Sequence, residues 1–301
     1  MDETDVAISR ILLANSRTSY SEIGKKVGMS PQGVHRRVQA LIDAGIFGST
    51  GTFLSFKALS RMWVVIYGWS KAPSVREAVM EIGRERSVGV CFIASGNFIY
   101  VMGAIKDSAE MARLVSRVQK VAVLQDMQVG IVPTPPSVPN DALTKLDLRL
   151  IKAMQHDARR PITEVADEVG VSVKTARRHI EKMVKEGLVQ FSMHWVPESQ
   201  GDAIANVHLT LKEEADREKV GYALIKMLGL GAVRTYTFSN LPDQMMISLW
   251  TRNVREMNII CRGLEDEGLF VSVVPNIIRN IHYFDENRFI LQEEMLRERS
   301  K

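Results

Sequence analysis

Cysteine is nearly absent: only Cys91 and Cys261 occur in 301 residues, each inside an apolar pattern. That excludes a disulfide framework and a paired thiolate metal site, and it implies a reducing compartment. The six histidines (35, 156, 179, 194, 208 and 282) are scattered without metal-ligand spacing; His208 and His282 sit in strand patterns and read as structural. No G-x-S-x-G, phosphate-cradling glycine loop or paired acids of a hydrolytic site are found, so no cofactor, metal or catalytic set is expected. The start, "MDETDVAISR", carries acids where an export signal carries a basic leader. A cytoplasmic protein is expected. One run lacks charge long enough to raise the question of a membrane span, the 19 residues Ser87 to Ile105. Its centre, Ser95-Gly96-Asn97, is turn chemistry between two β-branched and aromatic runs, so the segment reads as a hairpin and no membrane is implied.

The chain does have substantial apolar content, 46%, enough for about two domains. Its net charge of +4 is unevenly spread. Residues 1–132 hold 16 Lys/Arg against 11 Asp/Glu, so the first half is the basic one. Pro133, Pro135, Pro136 and Pro139 cluster in "PTPPSVP", which can hold neither helix nor central strand and marks a semi-extended linker. Across it the chain repeats. At a constant offset of 142, Asp5, Arg17, Glu22, Val27, Gly28, Ser30, Arg36 and Gly45 fall on Asp147, Arg159, Glu164, Val169, Gly170, Ser172, Arg178 and Gly187. This is duplication of a domain, not a solenoid.

Each half opens with three helical patterns. The second helix begins at Ser19, with Glu22 three residues on as in a capping box; its copy has Pro161 there and loses the side-chain cap. The third begins at Ser30 with Pro31, or at Ser172, and both stop at glycine. The period then becomes strand-like in the order strand, helix, strand, strand, helix, strand. The fold class expected is α+β: two copies of an N-terminal winged or helix-turn-helix three-helix unit followed by a ferredoxin-like βαββαβ domain. Boundaries are a first helix-turn-helix over 1–50, a ferredoxin-like domain over 51–132, the linker over 133–141, a second helix-turn-helix over 142–192, a second ferredoxin-like domain over 193–284, and a helical tail over 285–301.

In the third helix Val34, Val38, Leu41 and Ile42 form one apolar stripe, which turns Gln32, His35, Arg36 and Gln39 outward with Arg37 beside them. In the copy, Ala176, Ile180, Met183 and Val184 are expected inward and Lys174, Thr175, Arg177, Arg178 and His179 outward or at the edge. A short helix, a tight turn and a second helix bearing amides and guanidinium groups describe a module whose second helix enters the DNA major groove. The partner expected is double-stranded DNA. The candidate contact set is Ser30, Gln32, Gly33, His35, Arg36 and Arg37 with Ser172, Lys174, Thr175, Arg177, Arg178 and His179. Arginine can fork onto guanine edges or phosphates, and the capped helix start offers free N–H groups to a phosphate.

The string "TDVAISRILLANSRTSYSEIGKKVGMSPQGVHRRVQALIDAGIF", with "ASGNF" at the following hairpin, resembles the Lrp/AsnC family of prokaryotic transcription factors, here in tandem duplicated form. The resemblance implies sequence-selective DNA binding, pairing of ferredoxin-like sheets, homo-oligomers, and a small effector, commonly an amino acid, near the hairpin. The positions this places at the effector are Ser95, Gly96 and Asn97 in half one and Ser239, Asn240 and Asp243 in half two. Both depart from the family pattern: Ile99 stands where the acid belongs, and Asn240 replaces the glycine while Pro242 precedes Asp243. Siroheme decarboxylases also resemble this family and can be fused in tandem. Here Leu249-Trp250 echoes their motif, but Thr235 stands for its histidine and no matching arginine follows Tyr236. Regulator is therefore the expectation and that enzyme the alternative.

Overall fold

The computed structural model describes residues 1–139, 142–196 and 202–299. Outside them lie positions 140–141 of the linker, 197–201 of the second ferredoxin-like segment and 300–301 of the tail. The chain divides into two compact units: Met1–Ala7, Met62–Pro133 and Val196–Phe284 make the first, and Ile8–Arg61, Thr134–Trp195 and Asp285–Lys301 the second. Like has sorted with like. The ferredoxin-like segments lie in the first unit from Met62 and from Val196 onward, and the helix-turn-helix segments in the second, except that residues 1–7 join the first unit and 51–61 and 193–195 the second.

The first unit follows the expected element order. Half one contributes β2 (Met62–Ser70), α5 (Val75–Ile82), β3 (Val88–Ala94), β4 (Phe98–Ile105), α6 (Ser108–Ala122) and β5 (Leu124–Val132). Half two contributes β7 (Ala203–Leu211), α10 (Arg217–Leu228), β8 (Ala232–Thr237), β9 (Gln244–Thr251), α11 (Val254–Asp266) and β10 (Phe270–Tyr283). The strands join in one eight-stranded sheet, ordered β5-β2-β4-β3-β10-β7-β9-β8. Alternation gives each half-sheet two uses. Val64, Ile66, Val101 and Leu114 pack on the helix side of half one, and Val207, Leu209, Leu224 and Leu264 on that of half two. The intervening residues face the other half: Trp63 meets Tyr236 with ring centroids 5.5 Å apart, and Tyr67 meets His208 at 4.9 Å. Because β4 is covered on both faces, all eight of its residues are buried. That double burial explains the uncharged run, and the expected hairpin is β3–β4.

β10 is longer than the expected strand over Phe270 to Val274. It pairs with β7 through Ile277 and with β3 from Ile278 to Tyr283. Pro275, which lacks a donor, falls where β10 has a neighbour on one side only. In half one the proline cluster ends β5 at Val132, and among the described residues no matching ladder joins β5 to β8.

In the second unit lie most of α1 (Glu3–Ala14), then α2 (Tyr20–Val27) and α3 (Pro31–Asp43), with their copies α7 (Lys145–Ala153), α8 (Ile162–Val169) and α9 (Val173–Lys185). Each third helix leads into a strand not anticipated from sequence, β1 (Phe47–Leu54) and β6 (Val189–Trp195), and these pair antiparallel with each other. A single turn, α4 (Phe56–Leu59), follows β1. The tail forms α12 (Asp285–Arg299) as expected. It is anchored by Phe289 stacked on Phe53 at 4.9 Å and by buried Gln292, whose Oε1 accepts from Leu54 N at 2.8 Å.

Candidate nucleic-acid interface

Local chemistry sets both helix-turn-helix bends. Ser19 caps α2 by accepting from Glu22 N at 3.2 Å, while the Glu22 carboxylate pairs with Lys26 at 3.4 Å. Gly28 and Gly170 end α2 and α8 at φ 70° and 71°, a left-handed conformation that side chains resist. Ser30 and Ser172 then cap α3 and α9, accepting from Gly33 N and Thr175 N at 3.1 Å each. Pro161 leaves α8 without a side-chain cap, as the sequence implies.

The candidate contact residues divide by environment. Gln32, His35 and Arg36 are exposed on α3, and Lys174, Arg177 and Arg178 on α9; Arg37 and Thr175 are half-buried flank positions. Three expectations need correction. Gly33 is buried, where a Cβ would lie 3.1 Å from Met29 Cε and 3.3 Å from the capping Ser30 Oγ, so it faces the turn rather than the outer surface. His179 faces its own domain, with Nδ1 2.7 Å from Oδ1 of fully buried Asp147. The other carboxylate oxygen accepts from Thr144 N and Oγ1 at 2.8 and 2.7 Å, so the imidazole completes a buried capping network. Ile42 and Val184, expected in the core, are 45% and 40% exposed, because the inward stripe ends one residue earlier at Leu41 and Met183.

The two modules are locked together by a reciprocal exchange. Arg17 donates to the carbonyls of Ala158 and Arg160, and Arg159 donates to those of Ser16 and Thr18. Under the offset of 142 these are one contact made twice, about a pseudo-twofold axis. Arg159 also lies over the Tyr20 ring at 4.7 Å, and Arg17 over Phe191 at 5.6 Å. The repeat pairs Arg17 with Arg159 but assigns neither a role; an arginine kept in both copies outside the third helix is the signal that could have found this lock.

The hairpin positions assigned to an effector are engaged in a second reciprocal contact, within the first unit. Ser95 Oγ donates to Ile277 O at 3.4 Å, and Ser239 Oγ to Ile131 O at 3.2 Å. Gly96 and Asn97 form the left-handed turn beside Ser95, at φ 66° and 62°. Asn240 is committed to β5: its Oδ1 accepts from Ile131 N at 2.8 Å and its Nδ2 donates to Val129 O at 2.7 Å. All of these positions are exposed, but both serines and Asn240 already hold one half against the other. Asp243 sits close enough to Tyr67 to join burial in pushing that phenol up to about 12.

A polar cluster between the half-sheets is not visible in the sequence. Asn276 Nδ2 donates to Tyr100 Oη at 3.1 Å, and Tyr100 Oη lies 2.7 Å from His208 Nε2. With its oxygen accepting from Asn276, the phenol donates to an unprotonated imidazole nitrogen. Burial pushes His208 down to about 4 and the Tyr100 phenol upward. Nearby, Ser248 Oγ donates to Asn206 Oδ1 at 2.7 Å. Among the described residues no three potential ligands are grouped to hold a metal, and no helix is long and apolar enough to cross a membrane.

Two helix-turn-helix modules and two ferredoxin-like halves, each paired about a pseudo-twofold, define a duplicated regulator architecture. The model of the AsnC-type helix-turn-helix domain matches residues 1–42, and that of the winged helix-turn-helix DNA-binding domain residues 143–190. LrpA of Pyrococcus horikoshii, an HTH-type transcriptional regulator, is 32% identical over 119 residues, covering 38% of this chain and 84% of its own. An uncharacterized HTH-type regulator of the same organism is 29% identical over 135 residues, 44% of this chain and 85% of its own. The chain belongs to the Lrp/AsnC family of helix-turn-helix transcriptional regulators. Among solved structures, the siroheme decarboxylase NirDL aligns over 100% of both chains with a TM-score of 0.60 and 15% identity, a likeness of fold.

Proposed function

We propose that this chain is a sequence-specific DNA-binding transcriptional regulator that carries both reading helices of its operator complex. The observation that carries the reading is the reciprocal Arg17/Arg159 lock, which makes α3 and α9 a built-in pair within one unit. Gln32, His35 and Arg36 on one helix and Lys174, Arg177 and Arg178 on the other are the contact set, flanked by Arg37 and Thr175. The free N–H groups of the helix starts capped by Ser30 and Ser172 receive phosphate. Because the two sets differ, one chain prefers an asymmetric site. A small effector such as an amino acid would act at the hairpins, with Asp243 as the carboxylate for its ammonium group.

The test is DNA selection on the intact chain followed by titration of Arg36→Ala and Arg178→Ala. Each substitution weakens binding by about 5- to 150-fold where the arginine reads a base, or lowers the salt slope by about one where it holds a phosphate. Failure to bind any duplex at low ionic strength, with or without amino acids, defeats the reading.

An enzyme of the siroheme decarboxylase type is the second reading. It is favoured by the end-to-end likeness to NirDL and by the buried Tyr100–His208–Asn276 cluster between the half-sheets. Uptake of siroheme with its visible absorbance, lost in His208→Gln, by a chain indifferent to DNA would select it.

A further inference from the structure

The duplication supplies an internal control for the surface of the first unit. α6 and α11 superpose in sequence at an offset of 146, which their caps fix. Asp107 accepts from Glu110 N at 2.8 Å and Glu110 from Lys106 N at 2.7 Å; Asn253 accepts from Glu256 N at 2.9 Å and Glu256 from Arg252 N at 2.8 Å. On this alignment the outward ridge of α6 carries Arg113, Arg117 and Lys120, and that of α11 carries Ile259, Gly263 and Asp266. Ile259 lies opposite the buried Met257, Cys261 and Leu264 and is 63% exposed. Arg117 bridges Glu81 of α5 and Glu85 of the turn after it at 2.7 and 3.2 Å, whereas a Cβ at Gly263 would meet nothing within 4 Å. A helix-interior glycine costs about 0.5–1 kcal/mol against alanine, and no contact among the described residues requires this one.

The charges of α11 depart from the helix dipole at its C-terminal end. Its start carries Arg252, paired with Glu3, and Arg255 together with Glu256, which like Glu110 of α6 lies in the first turn, while Glu265, Asp266 and Glu267 crowd the end, where the dipole disfavours acids. α6 follows the dipole, with Glu110 in its first turn and Lys120 in its last. The α11 pattern becomes favourable when a second α11 lies antiparallel on the first. With Ile259 on Ile259 of the other copy, Glu256 faces Arg262, the acidic end faces the basic start, and Gly263 gives room for the Arg255 stem. A parallel arrangement sets like charge on like.

We infer that the outer face of α11 is a homotypic antiparallel interface through which two copies of this chain dimerise. The interface lies in the first unit and does not depend on the DNA-binding reading. It also gives the expected homo-oligomer a surface. The α6 ridge, with Arg117 tied to Glu81 and Glu85 and with Arg113 and Lys120 basic, offers its own copy no such complementarity.

The test is light-scattering mass across a concentration series of the full chain. The wild type gives a dimer, twice 33.8 kDa, or a larger assembly built from it. Ile259→Arg places on α11 the residue type α6 carries there, so the fold accommodates it; the mass halves while the thermal melt of the first unit holds. Mild oxidation of Ile259→Cys yields a covalent dimer that wild type, with Cys91 and Cys261 buried, does not form. A wild-type monomer at all concentrations overturns the inference. So do an assembly unchanged by Ile259→Arg, absence of the cross-link in oxidised Ile259→Cys, and loss of the dimer on Arg113→Ala, which would place α6 in the contact.

Discussion

His208 makes the stability of the first unit depend on pH with a predictable sign. Its folded value lies near 4 against 6.5 for the free side chain, because the charged form cannot be hydrated between the half-sheets. The folded state therefore refuses a proton that the unfolded chain accepts. The contribution is fully present above pH 6.5 and is lost as pH falls toward 4. The gap between the two values corresponds to about 3 kcal/mol, of which about 2 kcal/mol is gone by about pH 5. Urea unfolding followed by tryptophan fluorescence, with Trp63, Trp69 and Trp250 reporting on this unit, measures it at about pH 7.5, 6 and 5. His208→Gln retains an acceptor for Tyr100 but has nothing to titrate. It is less stable at neutral pH by about 1–2 kcal/mol, the cost of an imperfect buried hydrogen bond, and the gap closes in acid. Burial lowers His282 as well, but that group is the same in both proteins and cancels from the comparison. Parallel pH profiles for wild type and His208→Gln would refute the account.

Three further outcomes concern both units. Pro161→Ser restores at α8 the cap that Ser19 provides at α2, and the melting temperature of the helix-turn-helix unit rises by the equivalent of about 1 kcal/mol. Arg17→Ala and Arg159→Ala each strip two carbonyls of a charged donor and cost about 2 kcal/mol in denaturant unfolding; equal losses are expected from the pseudo-symmetry, and a strongly unequal pair would contradict it. Gly130→Ala sets a Cβ 2.3 Å from Phe238 Cδ1, so loosened packing where the β8–β9 hairpin meets β5 should appear as faster hydrogen exchange at Ile131, whose N–H is held by Asn240.

The helix-turn-helix segments are legible in the sequence because their signals are local: cap, periodic stripe, glycine, repeated at one offset. The ferredoxin-like order is legible for the same reason, with strands and helices alternating in period. What stays hidden depends on partners remote in sequence. β1 reads "FGSTGTFL", rich in turn residues, and becomes a strand only because β6 lies beside it. β10 runs past Pro275 because β3, far earlier in the chain, takes over the pairing at Ile278. His179 reads as part of a basic face because nothing local reveals Asp147 beneath it, and the hairpin serines read as ligand positions although each bonds the opposite half.

The two sets of reciprocal contacts, those made by Arg17 and Arg159 and those made by Ser95 and Ser239, have a consequence for behaviour on dilution. In a pair of separate subunits each such contact would form at the expense of translational freedom and vanish at low concentration. Here both partners of each contact ride on one polypeptide, so the α3–α9 pairing does not depend on the concentration of the protein.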